Sequence, residues 1–78
     1  DLLSNGQGQQ LYLTPIVLER GQRFKDVADR AAAAGHVAIG LRRQQVNQLN
    51  VGPDYPLQPG DLAVTIGERR VDRFVVSA

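Results

Sequence analysis

Few side chains in this sequence could take part in chemistry, and each has a plainer use close at hand. His36 is the only imidazole. A catalytic triad would need it beside an acid and one of Ser4 or Ser77, and both serines lie near the chain ends. A histidine that opens a strand just after a helix-ending glycine is expected to be packed or solvated rather than to act as a base. Asp54 and Asp61 are the carboxylates whose spacing could suit acid–base work. Asp54 follows Pro53 as a turn residue, and Asp61 follows Gly60, where it can bind nearby backbone amides and fix the entry to a strand. The same two are weak candidates for a hard cation, because the D-x-D-x-D-G pattern and closing glutamate of a calcium loop are missing. "ERGQRF" puts one glycine and an arginine before a helix, a faint form of an anion site. The glycines of "GQG", Gly6 and Gly8, precede no helical pattern and form no dinucleotide fingerprint. With no nucleophile, base and orienting group together, no enzyme activity is expected.

Composition narrows the classes further. There are no cysteines, so a disulfide framework and a thiolate zinc site are excluded, and one histidine cannot build a histidine-rich metal centre. Nine basic residues against eight acidic ones give a net charge of +1, too balanced for a nucleic-acid binder. Arg42-Arg43 and Arg69-Arg70 could make a local patch, but solvated arginines at strand ends are the favoured reading. The uncharged run from Leu2 to Leu18 is broken by polar residues and Pro15, so it does not meet the demand for about twenty apolar residues in a membrane span. The chain starts at Asp1 and shows no signal peptide; a piece of a longer protein is expected. At 78 residues it should form one domain, residues 1–78, with a core small enough to gain from a partner.

The elements that must hold these side chains follow from periodicity. "LYLTPIVLE", Leu11 to Glu19, is rich in β-formers; Pro15 cannot donate to a ladder and marks an edge, a bulge or a break. In "RFKDVADRAAAAG", Phe24, Val27, Ala28 and Ala31 trace one helical face, and Gly35 is placed to end the helix. No serine, threonine or aspartate caps its start; Asp26 in the first turn favours the positive helix end. "HVAIGLR" alternates, with Val37, Ile39 and Leu41 expected in the core and the small residues Ala38 and Gly40 on a second face. That small face is either a pairing surface or a seat for the helix. Arg43 to Gln48 reads as a loop or single turn, and Leu49 to Val51 as a short strand. In "DLAVTIGE", Leu62, Val64 and Ile66 are expected to face the core, and Ala63 and Thr65 to face away. "RRVDRFVVSA" ends in a last strand or a short helix, the strand being favoured. The sum is an α+β domain with one helix on one face of a small sheet.

"LNVGPDYPLQPGD", Leu49 to Asp61, is the richest turn segment. Pro53, Pro56 and Pro59 stiffen it, Leu57 can drop into the core, and Gly60 permits the bend before the strand.

"GQRFKDV", "VAIGLRR" and "LNVGPDYPLQPGDLAVTIGE", in that order and spacing, resemble the C-terminal subdomain of RCK domains, the TrkA-C unit that regulates potassium conductance. Gly21, Phe24, Ile39, Asn50, Leu57, Gly60 and Asp61 carry the likeness. Leu2-Leu3-Ser4, Gly8 and Tyr12, with Asp54-Tyr55, bring it nearest to CASTOR/POLLUX-type ion channels and their bacterial relatives. The likeness covers Leu2 to Glu68; Val51-Gly52 departs from it, where the family commonly has proline. It implies a small TrkA-C-like sheet with one helix and a cytoplasmic module of a potassium or other cation channel or transporter, whose ligands, nucleotides or divalent cations, differ among members; no cofactor is expected. It also implies a homodimer, attached to a Rossmann-like RCK half and a membrane pore. No ligand site carries over. The small face with Ala38 and Gly40 and the exposed edges of the sheet are the candidate pairing surfaces; a free-standing small-molecule (nucleotide) binding domain is the alternative.

Overall fold

A computed structural model of the chain describes residues 9–19 and 22–76. Its elements run β1 (Gln10–Leu18), α1 (Phe24–Ala33), β2 (Val37–Arg43), β3 (Val46–Leu49), β4 (Leu62–Gly67) and β5 (Phe74–Val76). The strands form one five-stranded sheet in the order β3-β2-β4-β1-β5, with α1 packed on one face. The expected α+β architecture is therefore what the chain adopts.

β1 is unbroken through Pro15, and the proline has a place that suits it. β1 pairs antiparallel with β4 over Gln10–Pro15, then parallel with β5 over Ile16–Leu18. The residue without an amide hydrogen stands where one ladder ends and the next begins.

α1 buries Phe24, Val27 and Ala31, the stripe its periodicity demands. It ends on a Schellman turn: Gly35 has φ of 82°, its amide donates to the Ala32 carbonyl at 3.0 Å, and the His36 amide donates to Ala31 at 2.8 Å. The missing N-terminal cap is supplied from outside the helix. The Phe24 amide donates to the Tyr55 carbonyl at 2.8 Å and Lys25 to Pro53 at 3.0 Å. Asp26 accepts from the Arg23 amide at 2.8 Å. The proline-rich loop thus takes up amides that a helix start leaves open.

The loop expected from Arg43 to Gln48 is instead a hairpin. β2 runs to Arg43, Gln44 and Gln45 turn with φ of 52° and 70°, and β3 spans Val46–Leu49 rather than starting at Leu49. Positive φ at both turn positions is the arrangement asparagine and glycine favour, so a Gln-Gln pair gives no signal for it. Replacing Gln44-Gln45 by Asn-Gly should relieve backbone strain and stabilise the fold by about 1 kcal/mol, read as a higher urea midpoint with unchanged slope.

Two expected facings are reversed. Ala63 and Thr65 of β4 lie under the helix, while Leu62, Val64 and Ile66 face away from it, since Thr14 pairs with Ala63 and Leu13 with Val64. This central strand is apolar on both sides, so polarity does not choose its inner face. The small Ala63 and Thr65 leave room for α1. In β2, a register shift at Ile39 puts Ala38 on the helix side and Gly40 on the other. Leu41 is fully buried in the core, whereas Val37 is 64% exposed. Ala38 and Gly40 therefore do not share one small face.

Candidate interaction surface

Directly opposed residues on neighbouring strands share a face, so the register fixes what the sheet shows on the side away from the helix. One row crosses the sheet as Leu13, Val64, Gly40 and Leu49. On one side of it lie Leu11, Ile66 and Val37; on the other, Pro15, Leu62, Arg42 and Asn47. Val17 and Val75 continue the face beyond the proline. Val64 at the centre is 2% exposed, but Leu13 is 44% exposed, and Leu11, Leu49, Val17 and Val75 are open as well. Gly40 is required by the close approach of the next strand: a Cβ there would collide with the Gln48 carbonyl oxygen and the Leu49 side chain.

Sequence reasoning missed this face. Its signal was present in "LYLTPIV", where Leu11, Leu13, Pro15 and Val17 are all apolar. A strand apolar on both faces needs two covers, and one helix supplies a single cover.

On the helix side, the proline-rich loop is held by a compact polar cluster. Arg43 makes a forked contact to Asp61, Nε donating to Oδ1 at 2.9 Å and Nη2 to Oδ2 at 2.8 Å. Nη1 donates to the Tyr55 hydroxyl at 3.1 Å, and Nη2 also reaches the Pro56 carbonyl at 3.0 Å. The guanidinium lies 5.0 Å from the Tyr55 ring centroid, and the Tyr55 hydroxyl donates to Gln48 at 2.7 Å. Burial alone would push the Asp61 carboxyl up. The Arg43 hydrogen bonds, the Gln58 amide and the arginine charge outweigh it and hold the carboxyl below its usual range. Arg43 is raised above its ordinary value, chiefly by its bond to Asp61.

The two candidate carboxylates stand in different surroundings. Both oxygens of Asp61 are occupied by Arg43, while Asp54 is exposed and offers its backbone carbonyl to Arg23. Among the described residues no group of three or more histidine, cysteine or acidic side chains is arranged to hold a metal. Among the described residues the helix start offers no open anion cradle either, because loop carbonyls take the Phe24 and Lys25 amides. Of the other residues carrying the family likeness, Phe24 and Leu57 are in the core, Ile39 forms the register shift, Asn50 turns with φ of 60°, and Gly60 bends with φ of 93°. Gly21 lies outside the described residues.

Of the two places open to His36, packed or solvated, the structure shows the first. The histidine is buried against the Tyr12 ring, 5.3 Å between centroids, and the edge of Phe74. Nε2 lies 2.6 Å from the Arg69 carbonyl, which can only accept, so Nε2 carries the hydrogen. In the neutral ring Nδ1 then accepts from the Thr65 hydroxyl at 2.9 Å. Both ring nitrogens are committed to structure. The ring presses on Gly67, where a Cβ would sit 2.6–2.7 Å from its atoms. Gly67→Ala should therefore cost about 1–3 kcal/mol in urea unfolding, and less in a His36→Ala background.

A cavity of about 480 Å³ runs along Gln10–Pro15, bounded by Arg70, Val71 and Asp72, where β1 has β4 on one side only. No helix among the described residues is long and apolar enough to cross a membrane. No protein-family model matches the chain, and neither a curated protein nor a solved structure is significantly similar to it.

Proposed function

We propose that this chain is a pairing and regulatory module of a cation channel or transporter, a cytosolic part of a membrane protein. The observation that carries the reading is the apolar sheet face opposite the helix. Layered domains bury each apolar sheet face against another element. Here the helix and the proline-rich loop both serve the other face, so the open one calls for a second protein surface. The likeness of "GQRFKDV", "VAIGLRR" and the "PGDLAVTIG" entry to RCK C-terminal subdomains supplies the channel context.

The mechanism is mechanical rather than chemical. A ligand or ion shifts a gate only through unequal affinity for its two states. A rigid sheet that pairs through one face is suited to carry that bias between subunits.

Light scattering across a concentration series tests the reading, alongside melting with calcium and with adenine nucleotides. Self-association with no ligand shift supports a pairing module. A monomer whose melting point rises strongly with nucleotide overturns it in favour of a small-molecule-binding domain, since a ligand that binds only the folded state stabilises by mass action.

A further inference from the structure

We infer that the open sheet face is covered by the same face of a second copy, sheet against sheet, about a twofold axis running along β4 over Val64. This rests on the pairing reading above and names its surface.

Size is the first argument. Leu11, Leu13, Val17, Val37, Leu49 and Val75 are each between 39% and 64% exposed. Together they leave roughly 400–500 Å² of apolar surface open, the size of the largest patch on a typical monomer, which is often a functional one. A standard interface needs about 800 Å² per partner. The flanking Pro15, Leu62, Ile66, Arg42 and Asn47 extend the face toward that figure.

Charge is the second. Arg42 is the one charged residue in these rows, and it stands at the margin, donating to Asn47 at 2.9 Å. The centre is uncharged, and the polar residues Arg42 and Asn47 stand at one corner of the face, so charge is kept away from the middle as at the core of a protein–protein contact. Two copies can meet there without opposing like charges at the centre, and no acidic or basic partner is called for.

Shape is the third. An axis along β4 leaves Val64 central and exchanges the two ends of its row. Each Leu13 is then set against the Gly40–Leu49 end of the partner's row, and the contact is made twice by symmetry. Aligned packing of two twisted sheets accommodates this geometry.

The absence of cysteine makes the test direct. Chains carrying Leu13→Cys and Leu49→Cys are mixed and treated with a short bismaleimide; the expected product is a covalent mixed dimer. Lys25→Cys, on the exposed side of the helix, should give none. In parallel, Leu13→Lys should raise the dimer dissociation constant by more than about 30-fold, as removal of a central anchor does. Circular dichroism checks that the variant folds, and Val37→Lys, already mostly solvent-exposed, gives the same readout where Leu13→Lys does not fold. A wild-type dimer unaffected by both lysines, or linked through Lys25→Cys alone, overturns this surface and leaves the pairing reading standing. A chain monomeric at every concentration overturns both.

Discussion

Arg43→Ala is expected to destabilise the fold by about 3–5 kcal/mol, because it strands a buried carboxylate. Asp61 is nearly inaccessible, with 1% of its side chain exposed, and its two oxygens are met by the guanidinium fork. For a domain whose total stability is on the order of 5–15 kcal/mol, this approaches unfolding. Arg43→Lys recovers only part, since an ammonium cannot make the fork, reach the Pro56 carbonyl and lie over Tyr55 at once. The Arg43→Met, Asp61→Leu double variant should lose less than Arg43→Ala, because no uncompensated charge stays behind. The pair also sets an acid limit. The folded Asp61 carboxyl is held below its unfolded value, so its contribution is complete above the unfolded value, near 3.8, and disappears as the pH falls through the folded one. Urea midpoints measured from pH 7 down to pH 2 should fall across that acid range. The acid loss should be smaller in the double variant, and a wild-type midpoint flat to pH 2 would contradict the role given to the fork.

Phe24→Ala should cost a similar 3–5 kcal/mol, for a different reason. Phe24 is the first helical residue; its side chain joins Leu57, Leu41 and Phe74 in the core, and its amide is held by the Tyr55 carbonyl. Truncation removes the contact by which the loop and the helix start support each other. Thermal melting should drop by well over 10 °C, at about 4–8 °C per kcal/mol for a domain of this size. Leu13→Ala, on the opposite face and 44% exposed, should leave the monomer's melting point nearly unchanged. The contrast separates residues that hold the fold from residues that await a partner.

What could be read beforehand follows from how local each cause is. The helix over Phe24–Ala33 and its glycine stop were legible because periodicity and a left-handed residue are properties of a short stretch. Leu57 in the core and Asp61 binding a neighbouring amide were legible for the same reason. The facing of β4 was not, because Val64 and Ala63 are both apolar and only the bulk of the helix decides between them. The shift at Ile39, which parts Ala38 from Gly40, depends on how β2 meets β4 and leaves no mark within "VAIGL". Arg43 was read as a solvated arginine. Its partners lie as far along the chain as Asp61, and a fork made across a loop has no local signature. The interaction surface was half visible, in a first strand too apolar for a sheet covered on one side.

The hand-over of β1 at Pro15 also has a bearing on how load passes through the protein. The parallel β1–β5 ladder places Gln10 at one end of the sheet and Val76 at the other. Tension applied between those two points slides the first and last strands past each other, so their cross-links are strained in shear and must give way together. An antiparallel closing pair pulled from the same side would instead open one link at a time, like a zip. The chain is thus joined at its seam in the manner that best resists being drawn apart along its length.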